Sequence, residues 1–189
     1  MYTNPSNVIK TIIKLLEDNR AVIDKVVQDY QDDRSLSIFE GMRKSLPASS
    51  FPSFELEPTT GTSEWFACRS QMPRFSVQMT LTIINDNPDY FVEYPSTLAT
   101  ILVKILTAPS NLQLKVQNEK KFDPDVGLVD TYIQDSFIES TTYNASTDGT
   151  IRTVVFDWFC TINEPYPESQ FDNGNIFQPT QVIDSQEVP

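Results

Sequence analysis

"RTVVFDWFCTI", residues 152–162, decides how the rest of the chain is read. Taken as a strand, its even positions Val154, Phe156, Trp158, Cys160 and Ile162 make an unbroken apolar face. The odd face is mixed, with Val155 and Phe159 flanking Asp157. The even face needs a helical layer packed over it. The odd face needs some other cover.

Upstream, "TYIQDSFIESTTYN" and this stretch are joined by "ASTDGT", and Asp148-Gly149 between alternating segments predicts a hairpin. A second alternating strand is plain in "RFSVQMTLTI", where Phe75, Val77, Met79, Leu81 and Ile83 face one way and Ser76, Gln78, Thr80 and Thr82 the other. "FPSFELEP" reads as a short strand whose prolines confine it to a sheet edge. Between these two lies "TTGTSEWFACRSQMP", a long exposed loop or a hairpin arm with Trp65 and Phe66 at its tip. "NDNPD" at 85–89 is turn chemistry, and it lacks the glycine and terminal glutamate of an EF-hand calcium loop.

Helical cover comes from two places. Apolar residues recur from Ile9 through Ile12, Ile13, Leu16, Ile23, Val26, Val27 and Tyr30, the stripe of one long amphipathic helix stopping near residue 31. Pro95 opens a second helix carrying Leu98, Ile101, Leu102, Ile105 and Leu106. The expected fold is α+β: an antiparallel or mixed sheet with two amphipathic helices on one face, a protruding loop or hairpin, and an extended C-terminal arm. Residues 1–164 form the single domain and 165–189 the acidic arm, with Phe171, Ile176 and Phe177 scattered along it. With no third helix to spread over the odd face, a neighbouring subunit is its economical cover.

Composition narrows the chemistry. The chain of 189 residues is 39% hydrophobic and 21% charged, which is ordinary for a globular domain. It carries a net charge of −12, and residues 122–189 hold Arg152 as their one cation against twelve acids. Such a surface repels phosphate, which disfavours tight groove binding of nucleic acid. The absence of histidine removes the Ser-His-Asp and Cys-His nucleophile systems and most transition-metal sites. Cys68 and Cys160 read as packed thiols. The opening residues show no basic leader before an apolar run, and no stretch reaches ~18 uncharged apolar residues. The expectation is a chain neither secreted by a standard signal nor spanning a membrane.

The order of elements resembles the tail terminator, or tail completion, proteins of tailed bacteriophages. The likeness runs over residues 5–163: a long first helix, "FPSFELEP", an arm, "RFSVQMTLTII", a helix opening "YPSTLATILVKIL", and the final Asp-Gly hairpin. It implies a structural virion protein, assembled in the host cytoplasm, that closes a ring, typically hexameric, on the end of the tail tube. Its implied partners are copies of itself, the tail tube protein, the sheath protein if the tail is contractile, and a neck or connector protein. DNA is implied only as a passenger through an acidic conduit. No cofactor, metal or catalytic residue is implied. Residues 165–189 and the stretch 59–74 look like additions to the family core.

Other readings fit the same residues. A neck, connector or baseplate protein would use a similar helix-plus-sheet economy, and an acidic binding protein that mimics DNA would use the charge. An enzyme would have to rely on carboxylates such as Glu55 with Glu57, or Asp123 with Asp125, for which solvated strand and turn positions are the simpler account. The expected interface residues are Val155 and Phe159 on the odd face, Trp65 and Phe66 at the arm tip, and Phe171, Ile176 and Phe177 in the C-terminal arm.

Overall fold

Residues 151–165 form the fourth strand of a five-stranded mixed sheet in a computed structural model that describes residues 5–30, 32–67, 70–84, 87–108, 116, 132–146 and 150–165. The elements in chain order are α1 (Pro5–Asp18), α2 (Arg20–Asp29), β1 (Ser37–Glu40), β2 (Ser53–Ala67), β3 (Ser70–Ile84), α3 (Glu93–Leu106), β4 (Tyr132–Ala145) and β5 (Ile151–Pro165). Strand order is β1-β2-β3-β5-β4, with β1 parallel to β2 and every other pair antiparallel. The fold is α+β, with the helices on one face of the sheet.

That face carries the core. Val154, Phe156, Trp158, Cys160 and Ile162 of β5 are buried, as are Phe75, Val77, Met79, Leu81 and Ile83 of β3 and Phe54 and Leu56 of β2. Phe54 meets Phe156 edge to face at 6.1 Å. Val8, Ile9, Ile12 and Leu16 of α1, Ile23 and Val27 of α2, and Leu98 and Leu102 of α3 complete the cluster. Each large side chain removed from water here contributes roughly 1.5–3 kcal/mol. Cys160 is a free thiol in this core, and burial holds its pKa well above the ordinary thiol range.

The first helix is two helices. The side-chain amide of Asn19 donates to the Leu15 carbonyl at 2.8 Å, and Asn19 itself leaves helical geometry at φ −104°, ψ 14°. An amide that bonds the preceding turn competes with the backbone ladder, and no apolar residue between Leu16 and Ala21 anchors the chain across the break. The apolar stripe nevertheless continues, so both segments contribute to the core, α1 against β2 and α2 against α3. α3 starts at Glu93, two residues before Pro95, because proline is tolerated anywhere in a first turn. No helix among the described residues is long and apolar enough to cross a membrane.

β2 is an interior strand over Ser53–Leu56, where β1 pairs with it, and not an edge along its whole length. Its prolines do not interrupt pairing: Pro52 precedes the strand through a cis Phe51–Pro52 bond, and Pro58 lies at a bulge, past Leu56, the last residue paired with β1. The stretch 59–67 is the continuation of β2, paired with β3 as far as Ala67↔Ser70, and β5 runs beside β3 to Ser70↔Pro165. It is therefore part of the sheet and not a free loop. β2, β3 and β5 are each 15 residues long, so the sheet extends roughly 50 Å along its strands.

A polar cluster pins the chain between α2 and β1. Buried Asp32 takes a bidentate pair from Arg34, with Nε to Oδ1 at 2.7 Å and Nη2 to Oδ2 at 3.0 Å. The buried Tyr94 hydroxyl donates to Asp32 Oδ2 at 3.3 Å, and Arg34 Nη2 reaches the Ile84 carbonyl at 3.2 Å. Tyr30 stacks on Tyr94 at 5.0 Å. These bonds join α2, α3 and the end of β3. The hydrogen bond to Asp32 raises the Arg34 pKa, while burial, more than the Asp32 charge, raises that of Tyr94.

Candidate interaction face

The face of the sheet opposite the helices is built from the alternate positions of the same strands. On β5 these are Thr153, Val155, Asp157, Phe159 and Thr161; their β3 partners are Thr82, Thr80, Gln78, Ser76 and Arg74. Such a set has few large apolar groups, and two of its members, Phe159 and Arg74, converge with Phe137 of β4. The rings of Phe137 and Phe159 stack at 5.5 Å with an interplanar angle of 17°. The Arg74 guanidinium lies 4.4 Å from the Phe159 centroid and 5.6 Å from that of Phe137. A cation over an exposed aromatic face is worth about 0.5–1 kcal/mol, so the trio is held together without being sealed from water. Phe137 keeps 40% of its surface exposed, and Phe159 is half-buried.

Two bulges in β4 create this arrangement. The register shifts between Ile133 and Asp135, and again between Ile138 and Ser140. Unbroken alternation would place Phe137 on the same face as Ile133. The first bulge moves it to the opposite face, across from Phe159, while Ile133 and Ile138 stay on the core side facing Ile162 and Trp158. The second bulge brings Ser140 opposite Asp157, whose Oδ2 accepts its hydroxyl. Val155 sits half-buried between Thr80 and Thr142.

Of the residues expected at an interface, Val155 and Phe159 share this face, four residues apart on one strand and therefore about 13 Å apart. Trp65 and Phe66 lie in the distal half of β2, where Trp65 is the backbone partner of Gln71. Phe171, Ile176 and Phe177 lie outside the described residues. Arg74 and Phe137 belong to the site but carry no local signal for it in the sequence, since only the register brings them to Phe159.

The carboxylates considered for catalysis have other surroundings. Glu55 is 8% exposed and its Oε1 accepts the Arg43 backbone N–H at 2.7 Å, so it secures the 41–52 connection to the sheet. Arg43 in turn covers the Phe39 ring at 5.4 Å. Asp123 and Asp125 lie outside the described residues. Among the described residues no group of three or more Cys, Asp or Glu side chains is placed to hold a metal ion.

No protein-family model and no curated protein sequence matches the chain. The fold has solved relatives. A chain from the virion of a native gene transfer agent (GTA) particle superposes with a TM-score of 0.50 at 6% identity, over 81% of this chain and 92% of that one. A second solved chain, at 14% identity, covers 84% of this chain and 98% of its own length with a TM-score of 0.41, too low to carry weight. At 6% identity the first likeness is one of fold: this chain shares its architecture with a component of a virion particle.

Proposed function

We propose that the chain is a structural subunit of a phage-type virion, and within it the tail terminator: a ring, hexameric, that caps the tail tube and joins it to the neck. The observation that carries this reading is the one-sided packing of the sheet. Helices cover the core face, and the other face presents the Arg74–Phe137–Phe159 cluster ready for a neighbour. The fold shared with a virion chain, and the order of elements resembling tail terminators, support the same reading.

The physical logic is one of assembly. A polar sheet face that carries stacked aromatics under an arginine has the anatomy of an interface core. Repeating one such contact heterologously around an axis closes a ring. The partners are further copies of this chain, the tail tube protein, a neck or connector protein and, in a contractile tail, the sheath. A net charge of −12 lets DNA pass without adhering. The reading assigns no catalysis and no cofactor.

Antibody labelling of particles under the electron microscope tests the placement. Label at a single point where tail meets head is the expected result. Particles without label, or label confined to the distal tip, would contradict it.

A further inference from the structure

At the other end of β5 from Pro165, a cavity of about 250 Å³ opens beneath the N-terminus of α3. Phe91, Val92, Pro95, Tyr143, Arg152 and Val154 are among its lining residues. Its rim is apolar and open: Val92 is 73% exposed and Tyr143 56%. Arg152 is the one cation in residues 122–189; its guanidinium sits 5.6 Å from the Phe91 ring centroid, and its buried Nε donates to nothing. A buried donor without an acceptor costs about 1–3 kcal/mol, a cost that a carboxylate entering the cavity would remove. Beside it, the cavity offers room and aromatic walls for a ring.

We infer that this cavity binds an aromatic side chain followed by a carboxylate, and that the occupant is Phe171-Asp172 of a second copy of this chain. Charge selects the segment. Residues 166–189 hold four acids and no cation, whereas the competing Phe122-Asp123 pair follows Lys120 and Lys121, which Arg152 repels. Reach selects the copy. Arg152 and Pro165 are separated by thirteen residues of β5, roughly 43 Å of strand. Asp172 is seven residues beyond Pro165, and seven residues span at most about 25 Å. A chain cannot fill its own cavity with this pair, so the contact is between chains. It links subunits whether or not they sit at the end of a tail.

The test replaces Phe171 by benzoylphenylalanine in the full chain, followed by irradiation and mass spectrometry of the cross-linked peptides. The expected product is a covalent dimer joined to peptides containing residues 91–96 or 143–152. Asp172→Asn, which leaves every residue of the sheet and helices in place, and Arg152→Gln, verified as folded by circular dichroism, each lower the dimer yield about tenfold, the loss of one charge-assisted hydrogen bond. A cross-link within one chain, a dimer joined elsewhere, or a yield that neither variant changes would overturn the inference.

Discussion

Phe137 and Phe159 stack across β4 and β5 with ring centroids 5.5 Å apart, on the face of the sheet that the helices leave open. Phe159 is there by the alternation of β5, a bulge in β4 brings Phe137 across from it, and Arg74 lies over both rings, so the three form one continuous cluster on the open face. Phe159→Asp is accordingly expected to fold and to lose self-association. Circular dichroism with size-exclusion chromatography checks it; an unfolded product would place Phe159 in the monomer core instead.

Arg74→Ala removes the cation while leaving the rings stacked. Association should weaken by about 0.5–1 kcal/mol, with little change in monomer stability. Sedimentation equilibrium of the variant beside the parent measures the difference.

Phe156 belongs to the opposite face, fully buried against Phe54. Phe156→Ala should cost about 3–5 kcal/mol through lost contacts and the cavity left behind. Urea unfolding reads this directly, and a loss below 1 kcal/mol would mean the core face is misassigned.

The Asp32–Arg34–Tyr94 cluster holds three elements at one point. Arg34→Met leaves the buried Asp32 carboxylate short of donors and should destabilise the chain by about 1–3 kcal/mol. Tyr94→Phe deletes a single hydrogen bond and should cost about 0.5–1.5 kcal/mol. Thermal melts of the two variants should rank them in that order.

Alkaline pH tests the buried acids. Cys160 and Tyr94 both have folded pKa values raised by burial, from ordinary values of 9.0 and 10.0. The folded state therefore keeps protons that the unfolded chain loses above those values. Their contribution to stability is complete below about pH 9 and is lost as pH rises further, at up to about 1.4 kcal/mol per pH unit for each group. Cys160→Ala, though less stable overall, should show the shallower decline from pH 8.5 upward.

Much of this fold was legible in the residues because its strongest signals are local and periodic. The even positions of 154–162 and the odd positions of 75–83 are buried as their alternation requires, and α3 follows its stripe. The strands flanking Asp148-Gly149 pair, with the Ser146 N–H donating to the Ile151 carbonyl at 2.9 Å, although the turn itself lies outside the described residues. What escaped depends on partners distant in sequence. β1 has only four residues, "SIFE", too few to display alternation, and it forms by lying parallel to β2. That pairing makes Ser53–Leu56 of β2 interior, between its two prolines. The break at Asn19 turns on one side-chain amide. Half of the candidate site, Val155 and Phe159, could be read from one strand. Arg74 continues the polar alternation of β3, but only the β3–β5 register brings it to Phe159; Phe137 could not be placed at all, because a bulge in β4 resets which face it occupies.

The central claim is that this sheet face and its neighbours close a ring, and light scattering across a concentration series, with negative-stain images of the large species, tests it most directly. The account predicts a closed ring near six subunits with a central hole, reduced to smaller species by Phe159→Asp. A parent protein that stays monomeric throughout the series, with the variant indistinguishable from it, would contradict the account.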